Sequence, residues 1–336
     1  MSEEAIPSLP NPPFYTIANV NNFRDAAYSL KTSSGARIRP NMLFRSAEVS
    51  KLDLAGWKAV HEIGVGHVFD LRSKPEVDKG WAGIVGKDAN AAEDDVRPGW
   101  IQAMDAAGVK RTWTPVFEES DYSPERLAER YSKYMGEAVT GFVEAYRDIL
   151  QNGGPAFGQI LRYLATLPPQ EEEEKSKASS LGALVHCTAG KDRTGIFFGL
   201  LFDFLGVPRD DIATEYQLTE LGLHHVRDTV VARLLQSPAF RKYAAEEMAG
   251  KKMSREEVAR ILEAGEGGVQ PEMEPQVMER GRQAALRMVG AKKESMLRSL
   301  DMLDDVFGGA ERYLRERCGM SDTELEALRT NLVVEA

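Results

Sequence analysis

Residues 185–195 read Val185-His186-Cys187-Thr188-Ala189-Gly190-Lys191-Asp192-Arg193-Thr194-Gly195 and run directly into the apolar stretch Ile196-Phe197-Phe198-Gly199-Leu200-Leu201. A cysteine at a strand end, five residues, and then an arginine at a helix start make a loop whose backbone N–H groups can converge on one anion. The helix dipole adds positive potential at the same place. Phosphate fits such a cradle, because Gly190 admits a backbone conformation closed to other residues and the planar fork of Arg193 can grip two oxygens. The same field acts on sulfur: an electropositive loop at a helix N-terminus moves a thiol from ~8.5 to ~3.5–7.5, which makes Cys187 a candidate nucleophile. Lys191, Asp192 and Arg193 are hard to account for as packing at the head of a buried helix, since unpaired buried charge is costly. The other cysteine, Cys318, lacks such company and reads as a small buried hydrophobe.

These residues need a frame. Ala183 to His186 predicts a short apolar strand that delivers Cys187, and Thr194 to Leu205 predicts a central helix, apolar around most of its circumference and stopped by Gly206 and Pro208. Upstream, the Tyr15–Ile17 region, Met42-Leu43-Phe44 and Val65 to Leu71 read as strands, with a helix over Ser50 to Ile63 closed by Gly64. Lys79 to Glu119 shows no long periodicity and reads as an irregular connection. Leu127, Tyr131, Met135, Val139, Phe142, Tyr146 and Ile149 recur at helical spacing, predicting one long amphipathic helix after Ser123-Pro124 with its stripe on the core. A second helix follows from Pro155 to Leu167, then a solvated charged loop from Glu171 to Ser180. Beyond Asp210 the pattern is helical: through Tyr216, over Val226–Leu235, in short pieces to Leu262, over Pro271–Val306, and over Ser321–Leu332 with its acidic first turn. The whole reads as an α/β core over about residues 14–225 with a helical part over about 226–336, one domain preceded by a proline-rich flexible arm at residues 1–13.

Composition excludes several classes. The chain has 336 residues, 43% hydrophobic and 28% charged, which is ordinary globular usage. With 42 Lys and Arg against 52 Asp and Glu, the net charge of -10 gives no global field for nucleic acid, so an anionic substrate must be captured locally. No apolar run approaches the ~18 residues of a membrane span. Two cysteines cannot form a disulfide framework, and the acidic N-terminus lacks a signal-peptide pattern, so a cytoplasmic or nuclear address is expected. The His224-His225 pair lacks spaced Cys or carboxylate companions, so no metal or other cofactor is expected.

His-Cys-x5-Arg-Thr-Gly is the signature of the cysteine-based protein tyrosine phosphatase superfamily, and the wording from His186 to Gly195 resembles its bacterial and fungal tyrosine/serine phosphatase branch. Asn22-Phe23-Arg24-Asp25, Leu43-Phe44-Arg45-Ser46-Ala47-Glu48, Asp70-Leu71-Arg72-Ser73 and the region of Tyr313-Leu314 look like that branch in the same order. The likeness covers roughly Phe14 to Leu332. It implies a central, mostly parallel sheet flanked by helices, and phosphomonoester hydrolysis without a metal.

Carried over residue by residue, the resemblance makes Cys187 the attacking group that forms a phosphocysteine. Arg193 and the amides of Thr188, Ala189, Gly190, Lys191 and Asp192 bind the phosphoryl oxygens. His186 would tune the thiol from behind, or simply satisfy buried carbonyls, and Thr194 would bond the departing sulfur. For the general acid, Asp192 is favoured over Glu118, Glu119 and Asp121 on an upstream loop, while the plainer reading has Asp192 orienting a cation such as Arg24 or Arg72. Lys191 adds charge suited to polyanionic headgroups. The expected substrates are therefore phosphotyrosine proteins, phosphoserine or phosphothreonine proteins, and phosphoinositides, against the alternative of a silent phospho-ligand binding module. A lid over the site, from the helices carrying Met248, Met253 and Met273, is a further expectation.

Overall fold

The structure, a computed structural model, describes residues 9–80, 96–118, 124–136, 138–170, 181–254, 256–257, 260 and 275–335. The first half runs β1 (Arg24–Asp25), β2 (Arg37–Ile38), β3 (Leu43–Ser46), α1 (Leu54–Ile63), β4 (Val65–Asp70), α2 (Lys74–Lys79), α3 (Trp100–Ala106), β5 (Lys110–Trp113), α4 (Pro124–Met135), α5 (Thr140–Ala165) and β6 (Gly182–His186). Then follow α6 (Asp192–Phe204), α7 (Arg209–Gly222), a short 3-10 turn (His224–Val226), α8 (Arg227–Leu234), α9 (Pro238–Ala249), α10 (Pro275–Val289), α11 (Lys293–Phe307), α12 (Ala310–Glu316), α13 (Asp322–Leu332) and β7 (Val333–Val334).

Five strands form a sheet in the order β1-β3-β6-β4-β5, in which β3, β6, β4 and β5 are parallel and β1 is antiparallel at one edge. A separate antiparallel pair joins β2 to β7. Strand side chains alternate between faces, so each central strand feeds two cores. Leu43, Ala183 and Val185 enter one core with Phe157, Leu161 and Phe197, whereas Phe44 and Leu184 enter the other with Trp57, Val60, Trp100 and Met104. Burial on both faces is what parallel strands require. Ser46, His186 and Asp70 are in register at the carboxyl ends of β3, β6 and β4. The loops that follow them lie side by side, at the end of a parallel sheet where ligands bind.

The central helix occurs as expected. From Thr194 to Phe202 every residue of α6 is buried, and each large apolar side chain there contributes about 1.5–3 kcal/mol by leaving water. α13 opens with a reciprocal capping box between Ser321 and Glu324. No helix among the described residues is long and apolar enough to cross a membrane.

Several local expectations need correction. The stretch read as irregular from Lys79 to Glu119 contains α3 and the edge strand β5, each too short to show a period. The long helix expected after Pro124 is two, α4 and α5, because the chain breaks beside Gly136. Met135 can then face Phe240 and Val277 while Phe142, Tyr146 and Ile149 join the main core. Pro155, expected to open a helix, lies inside α5. It is tolerated on a face where Gln151, whose carbonyl it cannot bond, is exposed. The helix expected over Pro271–Val306 is broken at Gly290, where Ala291 N donates to Glu220 at 3.0 Å instead of continuing a helix. The Tyr15–Ile17 region forms no strand, only isolated bridges around it. At the expected N-terminal arm, Pro10 and Pro13 carbonyls accept bonds from Phe14 and Asp25; residues 1–8 lie outside the described residues, as does the 171–180 loop.

Candidate active site

Cys187 follows β6 directly, is 2% exposed, and lines a cavity of about 460 Å³ together with Thr188, Ala189, Lys191, Asp192 and Arg193. The loop is built by pulling its carbonyls outward. Thr188 O accepts from Glu48 N at 3.0 Å, Ala189 O from Asn22 Nδ2 at 3.2 Å, and Gly190 O from Arg45 Nη2 at 2.7 Å and Asn22 Nδ2 at 3.3 Å. In a planar trans peptide the N–H opposes the carbonyl, so the amides of Ala189, Gly190 and Lys191 turn the other way, as an anion cradle needs. Gly190 has φ +61°, and a Cβ there would lie 2.1 Å from Ser46 O. Gly190→Ala is therefore expected to destabilise the fold by about 2–4 kcal/mol, from left-handed strain plus overpacking. A urea midpoint indistinguishable from wild type would show that the loop can relax.

The outward pull comes from a buried polar layer. Arg24 Nε and Arg45 Nη1 meet the two oxygens of Glu215 at 2.7 and 2.6 Å, and Arg24 Nη2 also reaches Thr219 Oγ1 at 3.1 Å. Burial pulls the Arg24 guanidinium down to about 9, against the support of Glu215. A second layer lies behind Cys187. Arg72 grips Asp70 with two bonds of 2.9 Å, and Arg111 adds a third at 2.8 Å. These cations hold Asp70 well below the usual carboxylate range although burial opposes them. His186 Nε2 lies 3.6 Å from Asp70 Oδ1, and its Nδ1 lies 3.3 Å from Cys187 O. Burial, aided by Arg72 and Arg111 and only partly offset by Asp70, brings this imidazole down to about 4, so it is neutral at pH 7.

Arg193 is held by a residue the sequence did not single out. Glu76 of α2 takes its Nη1 and Nη2 at 2.7 and 2.6 Å in a bidentate pair, and Thr188 Oγ1 accepts from Nη2 at 3.1 Å. Glu76 is buried, which pushes its carboxyl up, yet the charge and bonds of Arg193 outweigh this and bring it to about 2. The only signal in the sequence was Ser73-x-x-Glu76, a capping box the structure contains. Its second use, toward a residue 117 positions away, has no local trace.

Lys191 is buried. Its ammonium donates to the carbonyls of Met288 and Gly290, lies 3.2 Å from Asp192 Oδ1, and sits over the rings of Tyr134 and Phe142 at 5.5 and 5.0 Å. Asp192 meets Lys191 and Tyr146 rather than Arg24 or Arg72, which have Glu215 and Asp70. Thr194 is fully buried, and its hydroxyl has no hydrogen-bond partner among the described residues. Of the upstream acids, Glu118 is exposed beside the cavity-lining Phe117, while Glu119 and Asp121 lie outside the described residues. Thr229, Val230, Arg233 and Leu234 of α8 line the cavity. Met248 is exposed, Met253 packs on Ala128, and Met273 lies outside the described residues. His225 bonds Asn21 Oδ1 at 2.8 Å. Burial pushes the Cys318 thiol up to about 12, in keeping with an inert role.

Comparison with known proteins agrees with this geometry. The chain is 26% identical over 321 residues to the triple specificity protein phosphatase PtpB of Mycobacterium tuberculosis, covering 92% of this chain and 95% of that protein. It is 30% identical over 201 residues to a tyrosine-protein phosphatase of Nostoc commune, covering 60% of this chain and 52% of that one. Residues 15–334 match the profile of the tyrosine phosphatase family. From the cradle built around Cys187 to the closing strand, the chain belongs to the tyrosine phosphatase family.

Proposed function

We propose that the chain hydrolyses phosphomonoesters through a phosphocysteine on Cys187, acting on phosphotyrosine proteins first and on phosphoserine and phosphothreonine proteins as well. The observation that carries this reading is the position of Cys187, buried in the lining of the cavity between a strand end and a helix N-terminus, with Arg193 in the same lining in a fixed bidentate pair. The sulfur attacks phosphorus, and the loop amides and Arg193 stabilise the equatorial oxygens. His186, neutral and buried, keeps Cys187 from behind. A nucleophilic thiol and a guanidinium supply what the reaction asks for, so the chemistry runs without a metal. Phe117, Tyr131, Tyr134 and Ile149 give the cavity an apolar wall suited to a phenyl ring, which favours phosphotyrosine over phosphoserine.

A second reading, a phosphoinositide headgroup, is favoured by Lys51, Arg130, Arg227 and Arg233 in the same lining. Phosphate release from a phosphotyrosine peptide, a phosphoserine peptide and soluble phosphoinositides, each with a chelator present, separates these readings. The expected result is chelator-insensitive release, fastest from phosphotyrosine. A headgroup preference would make the lipid the substrate, and no release from any of the three would leave a phospho-ligand binding module.

A further inference from the structure

Two buried tyrosines meet Asp192 from behind. The hydroxyl of Tyr146, on α5, donates to Asp192 Oδ1 at 3.1 Å, and the hydroxyls of Tyr146 and Tyr216, on α7, are 2.6 Å apart. Both rings are buried, at 0% and 1% exposure, while the Asp192 side chain is 26% exposed toward the cavity. Each phenol has one proton. Once Tyr146 spends its own on Asp192, the short contact with Tyr216 can be a bond only if Tyr216 donates. The chain thus has one direction, Tyr216 to Tyr146 to Asp192 Oδ1. Burial raises both phenols, with the charge of Asp192 adding to it, so both remain donors at any working pH. The ammonium of Lys191 lies on the same oxygen at 3.2 Å.

We propose that Tyr146, backed by Tyr216, is a positioning residue that anchors Oδ1 of Asp192 and leaves Oδ2 as the oxygen that exchanges a proton with the substrate. The proposal rests on the reading of Asp192 as general acid. In the first step Cys187 Sγ bonds phosphorus as the bridging P–O bond breaks, and the departing oxygen takes the proton of Oδ2. In the second step water gives a proton to Oδ2 while its oxygen bonds phosphorus, and the S–P bond returns its electron pair to sulfur. A carboxyl free to rotate would present either oxygen at any angle, and general acid catalysis is sensitive to that geometry.

The test compares wild type, Tyr146→Phe, Tyr216→Phe and Asp192→Asn on phenyl phosphate, a poor leaving group, and 4-nitrophenyl phosphate, a good one. Tyr146→Phe is expected to lower kcat on phenyl phosphate about tenfold and to change the nitrophenyl rate and KM by less than about threefold. Tyr216→Phe, which keeps the first bond and loses its support, should show the same pattern at smaller size. Equal losses on both substrates would reduce the pair to core packing and overturn the proposal. If Asp192→Asn shows the leaving-group dependence and both tyrosine variants do not, the relay alone falls. If Asp192→Asn lacks it too, the acid assignment falls and the relay with it.

Discussion

Cys187→Ser is expected to cut phosphate release to below about one part in ten thousand of wild type while substrate binding changes by less than about threefold. Serine keeps the volume and places an oxygen where the sulfur was, but its hydroxyl holds its proton at neutral pH and needs a base beside it to attack. His186 does not fill that role, since its Nδ1 faces the Cys187 carbonyl and its Nε2 lies toward Asp70. Binding survives because the cradle does not depend on sulfur: its carbonyls are drawn outward by Asn22, Arg45 and Glu48. Calorimetric titration with a phosphotyrosine peptide checks the second half of the expectation. Turnover within tenfold of wild type would mean that another group attacks phosphorus.

Arg193→Ala should lower kcat/KM by about 10³–10⁴, since it removes a charged donor from the developing phosphoryl charge. It should also destabilise the fold by about 3–5 kcal/mol, because Glu76 would be left as a buried carboxylate without its cation. The acid side distinguishes the two effects. In wild type the Glu76 carboxyl is lowered from its ordinary 4.5 to about 2, so the stability it contributes is fully present above 4.5 and is lost as pH falls toward 2. Without Arg193 the charge and bonds that lower the carboxyl most are gone while burial still raises it, so the variant has less of this stability to lose. Its deficit against wild type should therefore narrow as pH falls from 4.5 toward 2. Adding Glu76→Gln should restore the melting temperature and leave activity low. A deficit that stays constant with pH would mean that Glu76 is not what Arg193 stabilises.

The cradle was legible in the sequence because it is contiguous: the strand, Cys187, Gly190, Arg193 and the buried helix after them fall within a short span, and each has a local chemical reason. What surrounds it was not. Arg24 and Arg45 lay in segments that carry the family resemblance, but Glu215, which they share, is 191 and 170 residues away and looks like any helical glutamate. Tyr146 read correctly as part of a core-facing stripe, yet a hydrophobic period cannot say that its hydroxyl points at Asp192. The helix breaks at Gly136 and Gly290 escaped because periodicity continues through both. What ends each helix is tertiary: a change of core at the first, and the ties of Glu220 and Lys191 at the second.

The bonds from Lys191 to Met288 and Gly290 join residues 97 and 99 positions apart. Synthesis is vectorial, so the whole stretch from Cys187 to Arg193 leaves the ribosome some five to twenty seconds before the carbonyls that receive the Lys191 ammonium, at about 5–20 residues per second. Until then a lysine destined for burial has only Asp192 as a charged partner. The anchoring of the Lys191 side chain is thus made after the bonds from Asn22, Arg45 and Glu48 that shape the loop have all their partners on the chain.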